Sequence, residues 1–167
     1  MKRSAFSQAA RETAMVSETR VAVHSDSDMV TARATARQLA LELGFARTDA
    51  TLIATAISEI TRNILVHAGT GELILEPVEE SHRSGLVVEA RDLGPGIRDI
   101  DAALGNGYAS RGGLGLGLPG ARRLMDEFEV ISDADRGTTV RMTKWRVRDE
   151  LERLRARRAV RGSGGTQ

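Results

Sequence analysis

The sequence of 167 residues contains no cysteine, which excludes a disulfide framework, a thiol nucleophile and a cysteine-based zinc site. Aromatic residues make up only 3% of the chain, so its core must be built from aliphatic side chains. No apolar run approaches the roughly 20 residues that a membrane-spanning helix needs. The polar N-terminus also lacks the apolar segment of a signal peptide. We therefore expect a soluble, cytoplasmic protein without a membrane partner.

The formal net charge of +1 gives the chain no general attraction to nucleic acid or to a membrane surface. The C-terminal end differs, because seven arginines stand against three acidic residues from Arg146 onward. Such a tail could dock an acidic partner or RNA. It has no interleaved aromatic side chains for stacking on bases, so a solvated helical face is the expectation and nucleic acid is not an expected partner.

Hydrophobic periodicity and turn residues divide the chain into a flexible N-terminal extension (1–17), one folded domain (18–146) and a basic tail (147–167). Strands are predicted at about 19–23, 73–75, 86–88, 129–132 and 138–142. Helices are predicted from the N-cap candidates of 25–28 to Leu43, from a Thr48 cap to His67, and from Pro119 to Phe128. The range 97–113 has no period and is predicted to be a mobile loop. This order favours an α/β fold: a two-layer sandwich of one mixed β-sheet with helices on one face.

Two polar residues of the second predicted helix lie on or beside its apolar stripe. Glu59 and Asn63 are one turn apart and share the face of Ile53 and Ile60. In one interpretation Glu59 lies at the margin of the stripe, bonded to solvent or backbone. In the other, both face a polar cavity, where Asn63 offers an oxygen to Mg²⁺ and Glu59 is a general base. His67 lies on the same face, but a histidine at a helix end is more often a cap or core residue, so we leave it out of the site.

Two clusters of glycines predict a site for a phosphate-bearing ligand. The first cluster follows an acidic residue at the end of a strand, Asp92-x-Gly94-x-Gly96. The second, Gly113-x-Gly115-x-Gly117, leads into a predicted helix. Glycine allows close approach of the backbone to a ligand, and a helix N-terminus presents free N–H groups to an anion.

Two other nucleotide motifs are excluded. A Walker A loop requires a lysine after its second glycine, and the only lysines, Lys2 and Lys144, do not follow glycine. A Rossmann-like string occurs at 115–120. It follows a loop instead of a strand and lacks a β-α-β unit, so it is a chance match.

A third pattern fits all the parts. Glu59-x-x-x-Asn63, the two glycine clusters and Gly137-Thr138 resemble, in that order, the GHKL (Bergerat) ATPase superfamily of gyrase, histidine kinases and MutL. Within it, the runs 54–64, 92–97, 112–120 and 123–128 are similar to the RsbT-type switch kinases, which belong with the anti-sigma serine/threonine kinases of bacterial stress signalling. The similarity covers about residues 19–146 and implies a Bergerat (histidine-kinase-like ATPase) fold that uses ATP and Mg²⁺.

The resemblance implies a role for each matching residue. Asp92 would accept a hydrogen bond from the adenine amino group, Thr138 would complete the adenine pocket, Asn63 would bind Mg²⁺, and Glu59 would be the catalytic base. Arg111, in the predicted lid, is either a contact to the γ-phosphate or a solvated loop charge. The implied nucleotide-binding residues are Asn63, Asp92, Gly94, Gly96, Ile97, Arg111, Gly113, Leu114, Gly115, Leu116, Gly117 and Thr138.

The function that the resemblance implies is ATP-dependent phosphorylation of serine or threonine on STAS-domain antagonist and stressosome scaffold proteins. Activation of a PP2C-type phosphatase by the released protein is also implied. Two alternatives remain open: an anti-sigma factor that mainly binds a sigma factor, and an ATP-binding regulatory module without transfer activity. Co-purification with a sigma factor would favour the first alternative. Glu59 argues against the second, because binding alone needs no base.

Overall fold

The computed structural model of the protein describes residues 18–80, 83–105 and 117–146. Within these ranges the chain forms five strands, four α-helices and one π-helical turn. In chain order they are β1 (Thr19–Val23), α1 (Asp26–Glu42), α2 (Arg47–Asn63), the π-turn (Ile64–Ala68), β2 (Gly71–Glu80), β3 (Arg83–Asp92), α3 (Ile100–Leu104), α4 (Gly117–Leu124), β4 (Glu127–Asp133) and β5 (Gly137–Arg146). The predicted extension 1–17 and tail 147–167 lie outside the described residues.

The strands form one sheet in the order β1-β2-β3-β5-β4. Every neighbouring pair in this sheet is antiparallel, so the mixed pairing expected from the element order is not what the chain adopts. The β4–β5 hairpin explains the difference. Strands β3 and β4 run in the same direction, as in a strand–helix–strand crossover, but β5 folds back between them and pairs with both.

The helices and the sheet share one aliphatic core. Leu73 and Leu75 of β2 belong to the same cluster as Ile53, Ile57 and Ile60 of α2, and each of these side chains is at most 1% exposed. Burying one such side chain contributes about 1.5–3 kcal/mol, so the cluster holds α2 firmly against the sheet. The predicted two-layer α/β sandwich is confirmed. No helix of the described part of the chain is long and apolar enough to span a membrane.

The two long helices begin differently. Ser25 is the N-cap of α1, and its hydroxyl accepts a hydrogen bond from the Asp28 N–H, as the sequence predicted. The predicted Thr48 cap is wrong, because α2 begins at Arg47 after Ala46, which makes no side-chain capping bond. In the first turn, Ala50 is fully buried in the core, and this packing holds the start of the helix.

The end of the second helix also departs from a regular α-helix. The prediction extended one helix to His67 with Gly69 as its end, but α2 stops at Asn63 and continues as the π-turn. This turn closes with the Gly69 N–H donating to the Ile64 carbonyl oxygen at 2.9 Å. Gly69 itself has φ +79°, a conformation that glycine adopts without strain. Turns of this type are frequent at functional sites.

Differences after β3 have local causes. The described part of the predicted loop 97–113 contains the short helix α3, whose N-cap Asp99 accepts a hydrogen bond from the Ala102 N–H. Helix α4 begins two residues before Pro119 and ends at Leu124. It does not reach Phe128, because that residue pairs with Met142 in the β4–β5 ladder.

Candidate functional site

A cavity of about 900 Å³ opens between the helical layer and the end of the sheet. Its walls are the last turn of α2, the π-turn, the end of β3 and the segment after it, α3, the start of α4, and β5. Six of the predicted site residues line this cavity: Asn63, Asp92, Gly96, Ile97, Gly117 and, on β5, Thr138. The fold therefore brings residues distant in sequence to one place.

Asp92 is the polar anchor of the cavity. Its Oδ1 accepts one hydrogen bond from the Gly94 N–H at 2.9 Å and another from the Thr138 N–H at 3.2 Å. Within the described ranges Oδ2 has no such partner. Two N–H donors on one oxygen fix the orientation of the carboxylate, so Asp92 presents an oriented acceptor to whatever enters the cavity.

The glycines near Asp92 are required by close contacts within the protein. A Cβ at Gly137 would lie 2.0 Å from the Asp92 carbonyl oxygen, and a Cβ at Gly96 would lie 2.2 Å from the Asp133 carbonyl oxygen. Both glycines also have positive φ, +90° and +74°. They let the segment after β3 pack directly against the β4–β5 turn, whereas the sequence pattern alone associated Gly96 with approach to a ligand.

Ser132 connects two parts of the site, a role that the sequence did not predict. Its Oγ accepts a hydrogen bond from the Ile97 N–H at 2.8 Å and donates to the Gly137 carbonyl oxygen at 3.0 Å. It also lies 2.9 Å from the Thr138 hydroxyl. Ser132 thus ties the segment after β3 to the β4–β5 hairpin. A serine on a short strand carries no local signal of such a long-range role.

Glu59 and Asn63 occupy different environments although they are one helical turn apart. Asn63 lines the cavity, whereas Glu59 points towards the start of α4, where its Oε2 accepts a hydrogen bond from the Gly117 N–H at 3.0 Å. Both side chains are partly buried. The contact to backbone is the arrangement that the first interpretation of Glu59 anticipated, and it holds the carboxylate beside the cavity.

The sequence matches the model of the histidine kinase-like ATPase domain over residues 23–144. The chain belongs to the histidine kinase-like ATPase family. The predicted GHKL resemblance and fold are therefore confirmed, and the domain is one that uses ATP.

Individual relatives show which proteins of this family the chain is similar to. The chain is 46% identical over 125 residues to the serine/threonine-protein kinase RsbT of Bacillus subtilis, covering 75% of this chain and 94% of the relative. It is 34% identical over 98 residues to an anti-sigma F factor of Thermoanaerobacter, covering 56% of this chain and 68% of that protein. The predicted resemblance to RsbT-type kinases is confirmed by the first of these.

A solved structure supports the fold. The crystal structure of the RsbU and RsbW domains of a Mycobacterium tuberculosis protein aligns with a TM-score of 0.55 at 19% identity. The alignment covers 77% of this chain and only 32% of the other chain. At this identity the likeness describes the fold alone.

Several family positions lie outside the described residues. These are Arg111, Gly113, Leu114, Gly115 and Leu116 of the second glycine cluster and the segment before it. Gly94 is described, and a Cβ there would lie 2.7 Å from the Ala68 Cβ, so it serves packing between the π-turn and the segment after β3.

The cavity also contains polar residues that the motifs did not mark: His67, Arg98 and Asp99. The helical-wheel position of His67 on the face of Asn63 was a usable signal. His67 is exposed and lines the cavity, so it is not a core residue. Arg98 and Asp99 had no such signal, because the position of the segment after β3 depends on Ser132.

The side chains of the cavity could bind a metal ion only if a bound nucleotide supplied further ligands to the metal. The described residues contain no group of three or more histidine, cysteine or acidic side chains placed to hold a metal. Asn63 nevertheless offers an amide oxygen in the cavity. Mg²⁺ usually takes few protein ligands and completes its shell with phosphate oxygens and water, so the site fits a metal that arrives with a nucleotide.

Proposed function

We propose that this protein is an ATP-dependent serine/threonine kinase that transfers the γ-phosphoryl group of ATP to a hydroxyl of a partner protein. The observation that carries the proposal is the oriented Asp92 carboxylate in a cavity that Asn63 and the start of α4 also line. The similarity to the RsbT kinase, which spans 94% of that protein, supports transfer activity over binding alone.

Asp92 selects the base of the nucleotide in this proposal. Its Oδ2 accepts a hydrogen bond from the adenine amino group, which is a donor at the position where guanine has a carbonyl acceptor. Thr138 lies next to Asp92, because the Thr138 N–H donates a hydrogen bond to Asp92 Oδ1. The apolar side chains of Ile97 and Val140 line the same cavity and provide surfaces for the base.

Asn63 holds the phosphate end through a metal. Its side-chain oxygen would be one ligand of Mg²⁺, and the bound metal would neutralise charge on the phosphate oxygens. By the family resemblance, Arg111, Gly113, Leu114, Gly115, Leu116 and Gly117 would complete the phosphate site, with the Gly117 N–H already bonded to Glu59.

Glu59 receives the proton of the acceptor hydroxyl. The hydroxyl oxygen forms a bond to the γ-phosphorus, the bond from that phosphorus to the β–γ bridging oxygen breaks, and ADP leaves. The proton of the hydroxyl passes to the Glu59 carboxylate. Because Oε2 accepts from Gly117, the second oxygen of the carboxylate is the one positioned to take the proton.

The partners we propose are STAS-domain antagonist and scaffold proteins in sigma-factor regulation, with a PP2C-type phosphatase as a further target of the free kinase. The likeness to both a kinase named RsbT and anti-sigma F factors supports this proposal. An anti-sigma factor is the second candidate, favoured by 34% identity to such a factor over 56% of this chain.

The test is incubation of the protein with labelled Mg·ATP and STAS-domain proteins encoded nearby, followed by mapping of the phosphorylated residue. We expect label on a STAS serine or threonine, and its loss in Asn63→Ala. Thr51→Ala, an exposed position of the same helix, is the control and should keep the activity. Undiminished transfer by Asn63→Ala would contradict the assigned site, and a co-purifying sigma factor without transfer would favour the anti-sigma function.

A further inference from the structure

Arg98 lies in the cavity wall directly after Ile97. It belongs to none of the motifs that mark the nucleotide site, and its side chain is exposed. Among the residues that the structure describes, Arg98 is the one arginine or lysine that lines the cavity. Arg98 therefore supplies a permanent positive charge to the described wall of the cavity.

The backbone on both sides of Arg98 is held in place. The Ile97 N–H donates to Ser132 Oγ at 2.8 Å. On the other side, Asp99 Oδ1 accepts from the Ala102 N–H at 2.9 Å and caps α3. A binding side chain is most effective when neighbouring contacts fix its backbone, so Arg98 is presented to the cavity from a fixed position.

The acidic side chains that line the described wall of the cavity do not form an ion pair with the Arg98 guanidinium, which is therefore available to a ligand. Asp92 is bonded through Oδ1 to two N–H groups, and Asp99 is bonded to the start of α3. No ion pair joins Arg98 to a carboxylate of the described ranges. A polyanion entering a cavity lined by two carboxylates needs a compensating cation, and His67 is the other side chain of the described wall that can carry positive charge.

We propose that Arg98 binds the phosphate groups of the nucleotide and makes the site selective for nucleotides over nucleosides. The inference rests on the proposed function in one respect, that the cavity binds ATP. A guanidinium matches the geometry of phosphate oxygens and can donate two parallel hydrogen bonds to them. Arg98 is thus a binding residue on the segment after β3, separate from the second glycine cluster and from Arg111.

The experiment measures, by calorimetry, the affinities of the full chain for adenosine, AMP, ADP and ATP. Three variants are compared: Arg98→Met, which keeps length without charge, Arg98→Lys, which keeps charge, and Arg37→Ala as a control. Arg37 is an exposed arginine of α1, far along the chain from the cavity segments. The thermal midpoint of each variant shows that it is folded.

We expect Arg98→Met to bind ATP and ADP about tenfold or more weakly, the size of a lost charged hydrogen bond to phosphate, and to bind adenosine as the wild type does. Arg98→Lys should recover part of the loss, and Arg37→Ala should show none. Raising the salt concentration should weaken ATP binding more in the wild type than in Arg98→Met.

An equal loss for adenosine and ATP would place Arg98 on the base or ribose and overturn the inference, and so would unchanged affinities in Arg98→Met. In both cases the wild type still binds ATP, so the proposed function would stand. If the wild type bound none of the four compounds, the proposed function would fail together with the inference.

Discussion

The Glu59 carboxylate oxygen Oε2 and the Gly117 N–H are joined by a hydrogen bond of 3.0 Å that links α2 to the first residue of α4. The first N–H groups of a helix have no partner within the helix, and Pro119 has no N–H at all. Glu59 satisfies one of the remaining donors, and its negative charge is favourable at that helix end. The residue that we propose as the base therefore also orders one wall of the cavity.

The two roles of Glu59 can be separated by substitution. Glu59→Ala removes the acceptor and should lower the free energy of unfolding by about 1 kcal/mol, the usual cost of losing a helix-capping contact. Glu59→Gln keeps an acceptor oxygen and should lose less. Denaturant unfolding of both variants checks this, and equal stability of Glu59→Ala and the wild type would contradict the capping role.

Phosphoryl transfer should respond to Glu59→Gln more than stability does. The amide cannot accept the hydroxyl proton, so we expect the rate to fall by about 10²–10⁴-fold, the typical contribution of a general base. Nucleotide affinity should change little, because Glu59 is not part of the cavity lining. Single-turnover transfer with saturating ATP measures the step, and a wild-type rate would show that Glu59 is not the base.

Substitution of Gly137 should destabilise the fold more than substitution of Gly69, a glycine with a similar φ. An alanine Cβ at Gly137 would lie 2.0 Å from the Asp92 carbonyl oxygen, whereas Gly69 has nothing within 4 Å of its Cβ position. Both have positive φ, +90° and +79°, so an alanine at either position should cost about 1–3 kcal/mol through backbone strain. Gly137→Ala should lose clearly more in urea unfolding and should weaken ATP binding. Equal losses for the two variants would contradict the close packing at Asp92.

Because of Asp28, the stability of the fold at the start of α1 should decrease at acidic pH. The His24 backbone N–H, first, and the Ser25 hydroxyl hold the pKa of this carboxyl below its ordinary value of 3.8. A lowered folded-state pKa means that the ionised group stabilises the fold above pH 3.8 and that this contribution is lost as pH falls through the folded pKa.

The comparison of Asp28→Asn with Asp26→Asn isolates this effect, since both positions lie in the first turn of α1. The thermal midpoint of Asp28→Asn should be lower than that of the wild type at pH 7, and the difference should shrink below pH 3.8. Asp26→Asn should show the smaller difference at pH 7. A difference for Asp28→Asn that stays constant down to pH 2 would contradict the assignment.

The parts of the fold that follow from local chemistry could be predicted from the sequence. Alternation marks β1, Ser25 marks the start of α1, and helical spacing puts Glu59 and Asn63 on one side of α2. The same spacing could not show that Glu59 bonds to Gly117, because that contact joins residues 58 positions apart.

Other parts depend on tertiary packing and left no local pattern. Helix α3 has five residues, too few for a period to be visible. The π-turn follows α2 without any break in composition. The roles of Ser132 and Arg98 depend on the β4–β5 hairpin folding back beside β3, which the order of the elements alone does not determine.

Adenine recognition by the Asp92 carboxylate is the central feature of the proposed site, and nucleotide selectivity tests it most directly. Inosine triphosphate has a carbonyl oxygen in place of the adenine amino group. In Asp92→Asn the side-chain oxygen can still accept the hydrogen bonds from the Gly94 and Thr138 N–H groups. The amide NH₂ then occupies the position of Oδ2, so a hydrogen-bond donor replaces an acceptor there.

Calorimetric titration of the wild type and Asp92→Asn with ATP and inosine triphosphate is therefore the decisive measurement. We predict that the wild type binds ATP at least about tenfold more tightly than inosine triphosphate, and that Asp92→Asn loses or reverses this preference. Retention of the full ATP preference in Asp92→Asn would contradict adenine recognition by Asp92.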